Sequence, residues 1–134
     1  MDKCGSSDKE ILILLVEDHP GDTVLFMHAC NSFLNVEVVT AGTVSNAVNY
    51  LDSYDFDIVF SDLNLFDSTG SESIVGILKK KPNIPVVAMT GLASDDVKEE
   101  VIKAGAKGLI PKSELSPQNL EKCISSLGFK LKTL

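Results

Sequence analysis

Ile11 to Val16 (ILILLV) is an unbroken apolar run of mostly branched side chains. Continuous rather than alternating polarity predicts a strand buried on both faces. Asp18 to Gly21 (DHPG) reads as a loop, and Thr23 to Phe33 as a helix. Val36 to Thr40 is β-branched and predicts a second strand. Thr43 can cap a helix whose Val44, Ala47, Val48 and Leu51 share one face. Asp57 to Ser61 predicts a third strand, with a loop from Asp62 to Gly70 behind it. Ile74, Ile77 and Leu78 lie on one helical face, and Pro82 and Pro85 bracket a turn into a fourth strand, Val86 to Met89. Ser94 caps the next helix, with Asp95 and Asp96 at the positive end of its dipole, Val97, Val101 and Ile102 as its apolar side, and Gly105 as its stop. Gly108 to Pro111 predicts a short fifth strand. Ser116 and Pro117 open a last helix carrying Leu120, Cys123, Ile124 and Leu127, which ends near Gly128.

Strand and helix thus alternate five times. That pattern predicts an α/β domain: a doubly wound, five-stranded parallel sheet in the flavodoxin-like order 2-1-3-4-5, with right-handed crossovers and helices on both faces. The 134 residues suit one domain, and a hydrophobic content of 44% is enough for a single sizeable core. The expected division is a disordered leader at 1–10, the domain at 11–128 and a C-terminal tail at 129–134.

Charge and cysteines narrow the class. A net charge of −7 argues against a nucleic-acid partner, which would select a basic surface. No apolar run approaches the roughly 20 residues of a membrane span, and the polar first ten residues do not read as a secretory signal, so no membrane partner is expected. The three cysteines are odd in number and far apart, without a CxxC pair. Cys4 reads as an exposed thiol and Cys30 and Cys123 as small core residues, which fits a reducing cytoplasm. Lys79 to Lys81 reads as a solvated helix end, Asp95, Asp96, Glu99 and Glu100 as a solvated helix face, and His19 and His28 as surface histidines.

In open parallel sheets, ligands bind beyond the carboxyl ends of the strands. Glu17 and Asp18 follow the first strand, Asp62 the third, Thr90 the fourth and Lys112 the fifth. With the first and third strands adjacent, three carboxylates crowd one pocket, and their repulsion calls for a counter-charge. Mg²⁺ suits such a set of hard oxygen donors, and Lys112 adds a mobile point charge. Carboxylates, a divalent cation, a lysine and a hydroxyl together suit phosphoryl transfer to a carboxylate.

Four segments in order, LLVEDHPGD, FSDLNLFDSTG, VVAMTGLAS and AGAKGLIPKSEL, resemble a response-regulator receiver domain of the chemotaxis-regulator type, from about Ile11 to Leu127. The resemblance implies a phosphoprotein of a two-component phosphorelay, not an enzyme. It implies Asp62 as phosphoacceptor, Glu17 and Asp18 as the acidic pair at Mg²⁺, and Asn64 lending a backbone carbonyl to the metal. Thr90 becomes the switch hydroxyl and Lys112 the phosphate partner. The implied partners are a sensor histidine kinase or phosphotransfer protein, a downstream output partner or domain, and a weakly paired second copy.

Three positions depart from the family pattern. Phe66 stands where a proline often follows the acceptor loop, and reads as a partly exposed packing residue. Leu109 replaces the usual switch aromatic. Ser113 follows Lys112 where a proline, often cis, is common, while Pro111 precedes it. These departures sustain one rival reading, a pseudo-receiver that works as a phosphorylation-independent interaction module. A second rival, a Mg²⁺-dependent phosphatase, needs an acid two residues after Asp62, and Asn64 holds that place.

Overall fold

The computed structural model describes residues 9–133; Cys4 and most of the expected leader lie outside them. Its order is β1 (Ile11–Val16), α1 (Pro20–Ala29), β2 (Val36–Ala41), α2 (Val44–Ser53), β3 (Ile58–Asp62), β4 (Asn64–Leu65), β5 (Ser68–Thr69), α3 (Glu72–Lys80), β6 (Val86–Thr90), α4 (Asp95–Lys103), β7 (Gly108–Pro111) and α5 (Pro117–Ser126). The main sheet is parallel with order β2-β1-β3-β6-β7. Set aside the short β4–β5 hairpin and this is the expected order 2-1-3-4-5.

Each central strand feeds two half-cores, because successive side chains point to opposite faces. Leu14 and Val16 of β1 face α2, α3 and α4 through Ala47, Leu51, Ile74, Ile77 and Val101. Ile11, Ile13 and Leu15 face α1 and α5 through Phe26, Ala29, Leu120 and Ile124. Burial on both sides is why β1 lacks polar alternation. Three helices start as expected, since Thr43, Ser94 and Ser116 each accept a backbone N–H three residues on, at 3.0, 3.2 and 3.1 Å. Gly105, with φ at +112°, closes α4.

Four expectations need correction. Helix α1 begins at Pro20 and ends at Ala29, not at Thr23 and Phe33. Proline at the first helical position costs no hydrogen bond and carries a preset φ, so DHPG opens a helix rather than a loop. At the far end Asn31 and Ser32, residues that compete with helical hydrogen bonding, precede Phe33, which is buried in the α1–α5 half-core. Second, the loop after Asp62 contains the antiparallel β4–β5 hairpin. Asp67 at its tip accepts the Val44 and Ser45 N–H groups and so joins it to the start of α2. Third, Glu100 is not simply part of a solvated face, because its carboxylate accepts the Ser71 N–H at the start of α3. Fourth, Lys80 pairs with Asp52 of α2 rather than only with solvent.

Residues 129–133 also pack back. Phe129 and Leu131 rest against the α1–α5 half-core, and Leu34 N–H donates to the Lys132 carbonyl at 2.7 Å. Buried Asn35 donates its side-chain amide to the Lys9 and Lys130 carbonyls and accepts the Lys132 N–H. One amide thus links both ends of the described chain to the entry of β2.

Candidate functional site

Strand register assembles the site. Val16 pairs with Ser61, so the next residues, Glu17 and Asp62, lie side by side at the carboxyl edge. Asp62 pairs with Met89, and Thr90 with Pro111, which brings Thr90 and Lys112 to the same edge. Carboxylate oxygens of Glu17, Asp18 and Asp62 come within 4.8 Å of one another. Glu17 and Asp62 are buried and Asp18 is exposed.

Lys112 closes this group. Its ammonium lies 2.9 Å from Glu17 Oε1, 3.1 Å from Asp62 Oδ2 and 2.7 Å from Asp22 Oδ2. Burial alone pulls the ammonium down. The hydrogen bonds to Asp22, Glu17 and Asp62 outweigh that and hold it above its ordinary range. Burial pushes the Glu17 carboxyl from 4.5 up to about 6; the Lys112 hydrogen bond opposes the shift and the nearby Asp62 charge reinforces it. Glu17 Oε2 also accepts the His19 N–H at 3.2 Å. Three carboxylates therefore contact one ammonium, with Asp18 close to two of them, and the pocket is short of positive charge.

The remaining expected residues take distinct places. Asp18 Oδ2 accepts the Phe66 N–H at 2.8 Å, which ties the loop after β3 to the end of β1. Asn64 lines an open hollow of about 380 Å³ with Asp18, His19, Asp22, Asp62, Gly91 and Lys112. Thr90 stands at the edge, but its hydroxyl is bonded to Leu92, donating to the carbonyl at 3.3 Å and accepting the N–H at 3.2 Å. Phe66 is 89% exposed, so it is not a packing residue; its backbone, not its ring, does the work of positioning. Leu109 is half-buried against the α2–α4 half-core. Lys112 to Glu114 form a single 3₁₀ turn, and no peptide bond among the described residues is cis.

Asp22 is the site residue that sequence reasoning missed. With DHPG read as a loop, its direction was undetermined. The helix start at Pro20 makes Asp22 the third helical residue, and helical side chains lean toward the N-terminus. That lean carries its carboxylate to the sheet edge and Lys112. Proline ahead of a first-turn acid was the available signal.

Fold and pocket together define a flavodoxin-like α/β domain with an acidic, lysine-closed hollow at the carboxyl edge of its sheet. Residues 13–125 match the response regulator receiver domain, and the chain belongs to that family. The transcriptional regulatory protein ComA of Bacillus subtilis is 31% identical over 108 residues, 76% of this chain and 49% of that protein. The sensor histidine kinase RcsC of Salmonella typhimurium is 30% identical over 111 residues, 83% of this chain but 12% of that protein. The chain thus spans half or less of these relatives. Among solved structures, chemotaxis protein CheY4 of Vibrio cholerae superposes with a TM-score of 0.78 at 24% identity, covering 88% of this chain and 98% of that one. A LuxR-family response regulator from Aurantimonas gives 0.80 at 23%, covering 93% and 91%. The fold, the strand order and a place in two-component signalling are established by these matches. No helix among the described residues is long and apolar enough to cross a membrane.

Proposed function

We propose that this chain accepts a phosphoryl group on Asp62 from a phosphohistidine of a sensor histidine kinase or phosphotransfer protein, in a Mg²⁺-dependent reaction, and thereby switches binding of an output partner in the cytoplasm. The observation that carries this is the three-carboxylate cluster with Lys112 touching Glu17 and Asp62. The cluster fits a hard divalent cation: Glu17, Asp18 and Asp62 offer oxygens, with the Asn64 carbonyl as the further ligand implied by the family resemblance. Asp18 keeps Oδ1 for that role while Oδ2 holds the Phe66 N–H. When bound, Mg²⁺ would supply the positive charge that the pocket lacks.

An Asp62 oxygen attacks phosphorus and a new P–O bond forms. The bond from phosphorus to the donor nitrogen breaks, and its electron pair leaves on an imidazole that departs neutral, its other nitrogen protonated. Lys112 then turns donors toward phosphoryl oxygens. Thr90 gives up its bonds to Leu92 to reach the same oxygens, so phosphorylation pulls on the backbone at the start of the α4 loop. Asp62 acts here as an acceptor, not as part of a substrate-turnover cycle.

The second reading is a phosphorylation-independent interaction module. Two features favour it: the Thr90 hydroxyl is occupied by Leu92, and Leu109 has no hydroxyl to report a switch. Incubation with acetyl phosphate, with Mg²⁺ or with EDTA, separates the two by intact mass. The expected result is a single phosphoryl adduct that requires Mg²⁺. A folded protein that gains no adduct would overturn the phosphoacceptor reading and favour the interaction module.

The raised Glu17 carboxyl predicts a pH dependence. A carboxyl held at about 6 is protonated below that pH and cannot ligate a cation. Mg²⁺ affinity by calorimetry should therefore rise about tenfold from pH 5 to pH 7, following ionisation of one group. Metal-free stability should move the other way. The folded state holds the extra proton between pH 4.5 and about 6, so raising pH across that window lowers the stability of the metal-free protein. Mg²⁺ affinity that is flat with pH would exclude Glu17 as a ligand.

A further inference from the structure

We propose that Asp22 is a positioning residue of the phosphoacceptor site: it holds the Lys112 ammonium toward α1, in competition with the phosphoryl group, and so sets the rate at which Asp62 is phosphorylated. This rests on the phosphoacceptor reading of Asp62.

An ammonium has three donors and no acceptor. In this site all three meet carboxylates: Glu17 at 2.9 Å, Asp62 at 3.1 Å and Asp22 at 2.7 Å. The closest contact is to Asp22, which belongs neither to the acidic cluster that suits a cation nor to the acceptor. Glu17 is the buried partner of Lys112, with a side chain 1% exposed. Asp22 is the more accessible partner, with a side chain 30% exposed, on the first turn of α1, whose Phe26 and Ala29 pack in the same half-core as Leu15 of β1. The two therefore hold Lys112 from different elements, Glu17 from the end of β1 and Asp22 from α1. Glu17 anchors it beside Asp62, while Asp22 draws it toward the α1 rim of the hollow.

A phosphoryl group arriving at Asp62 brings acceptor oxygens that need a Lys112 donor. No donor is free. One contact must be released, and the exposed Asp22 carboxylate can be rehydrated at less cost than buried Glu17. Exchange of Asp22 for phosphoryl oxygen is thus part of the reaction coordinate. Asp22 also places a negative charge at the entrance, where an anionic donor must pass. Both effects slow phosphorylation and act in the same direction.

The first-turn position gives Asp22 an alternative, purely structural role, favourable contact with the helix dipole. That role would alter unfolding and leave reaction rates alone. The two separate cleanly with Asp22→Asn, Asp22→Ala and Asp22→Glu. Each is followed for adduct formation from acetyl phosphate at saturating Mg²⁺, by intact mass against time, beside thermal unfolding. Asp22→Asn and Asp22→Ala should accelerate phosphorylation about threefold to tenfold, and Asp22→Glu, which restores the charge within reach of Lys112, should return near the wild-type rate. Rates within twofold of wild type in all three variants, or slower rates in Asp22→Asn and Asp22→Ala, overturn the inference while leaving Asp62 as acceptor. Absence of any adduct on the wild type overturns the phosphoacceptor reading and this inference together.

Discussion

Asp62→Asn is expected to take up no phosphoryl group from acetyl phosphate under conditions that label the wild type fully. The amide nitrogen and carbonyl oxygen of asparagine have the shape of the carboxylate without its charge, so the change removes nucleophilicity and little else. Its effect on the fold should be small and favourable. Asp62 is buried beside Glu17 and raises the Glu17 carboxyl by repulsion. Neutralising it leaves Lys112 shared between Glu17 and Asp22, and Glu17 should titrate closer to its ordinary value. Two measurements together make this decisive: intact mass for the adduct, and unfolding for the fold. A variant that unfolds like the wild type and stays unlabelled assigns the chemistry to Asp62. An adduct of equal yield on Asp62→Asn would move the acceptor to another side chain.

Phe60→Ala should produce the largest loss of stability. Phe60 is fully buried in the middle of β3, paired with Leu15 of β1 on one side and Val87 of β6 on the other. Its ring meets that of Phe26 from α1 at 5.0 Å between centroids, tilted by 59°. Truncation removes both the transferred apolar surface and the partner of Phe26, at a cost of about 3–5 kcal/mol. Against a domain stability of about 5–15 kcal/mol, that is a large share. The midpoint of thermal unfolding followed by circular dichroism should fall by roughly 10–20 °C. A drop under 3 °C would mean that α1 collapses into the space and that this contact does not organise the core. Since Phe60 lies two residues before Asp62 on the same strand, the variant should also lose phosphorylation near its melting range and keep it well below.

Much of this was legible along the chain because its causes are local. A serine or threonine cap acts on an N–H three residues ahead, so Thr43, Ser94 and Ser116 could be read without any tertiary knowledge. Strand β1 declared its double burial through six consecutive apolar residues. The β4–β5 hairpin was not legible, because it is two residues per strand and depends on capture by distant groups. Asp18 takes the Phe66 N–H, and Asp67 takes the N-terminal amides of α2. The docking of residues 129–133 was hidden for the same reason, since Asn35 reaches partners 95 and 97 positions away.

The order of strands and helices, the polar residues placed after each strand, and the set of groups suited to a phosphoryl site were determined by the sequence alone. Each depends on hydrophobic period, turn chemistry and residue type over a few neighbours. Only the tertiary structure decided how those groups meet. The pairings of Val16 with Ser61 and of Thr90 with Pro111 bring Glu17 to Asp62 and Lys112 to the same edge. The start of α1 at Pro20 turns Asp22 onto Lys112, a contact spanning 90 residues. Such contacts follow from sheet register and helix direction, which are fixed by packing two half-cores at once and not by any local run of side chains.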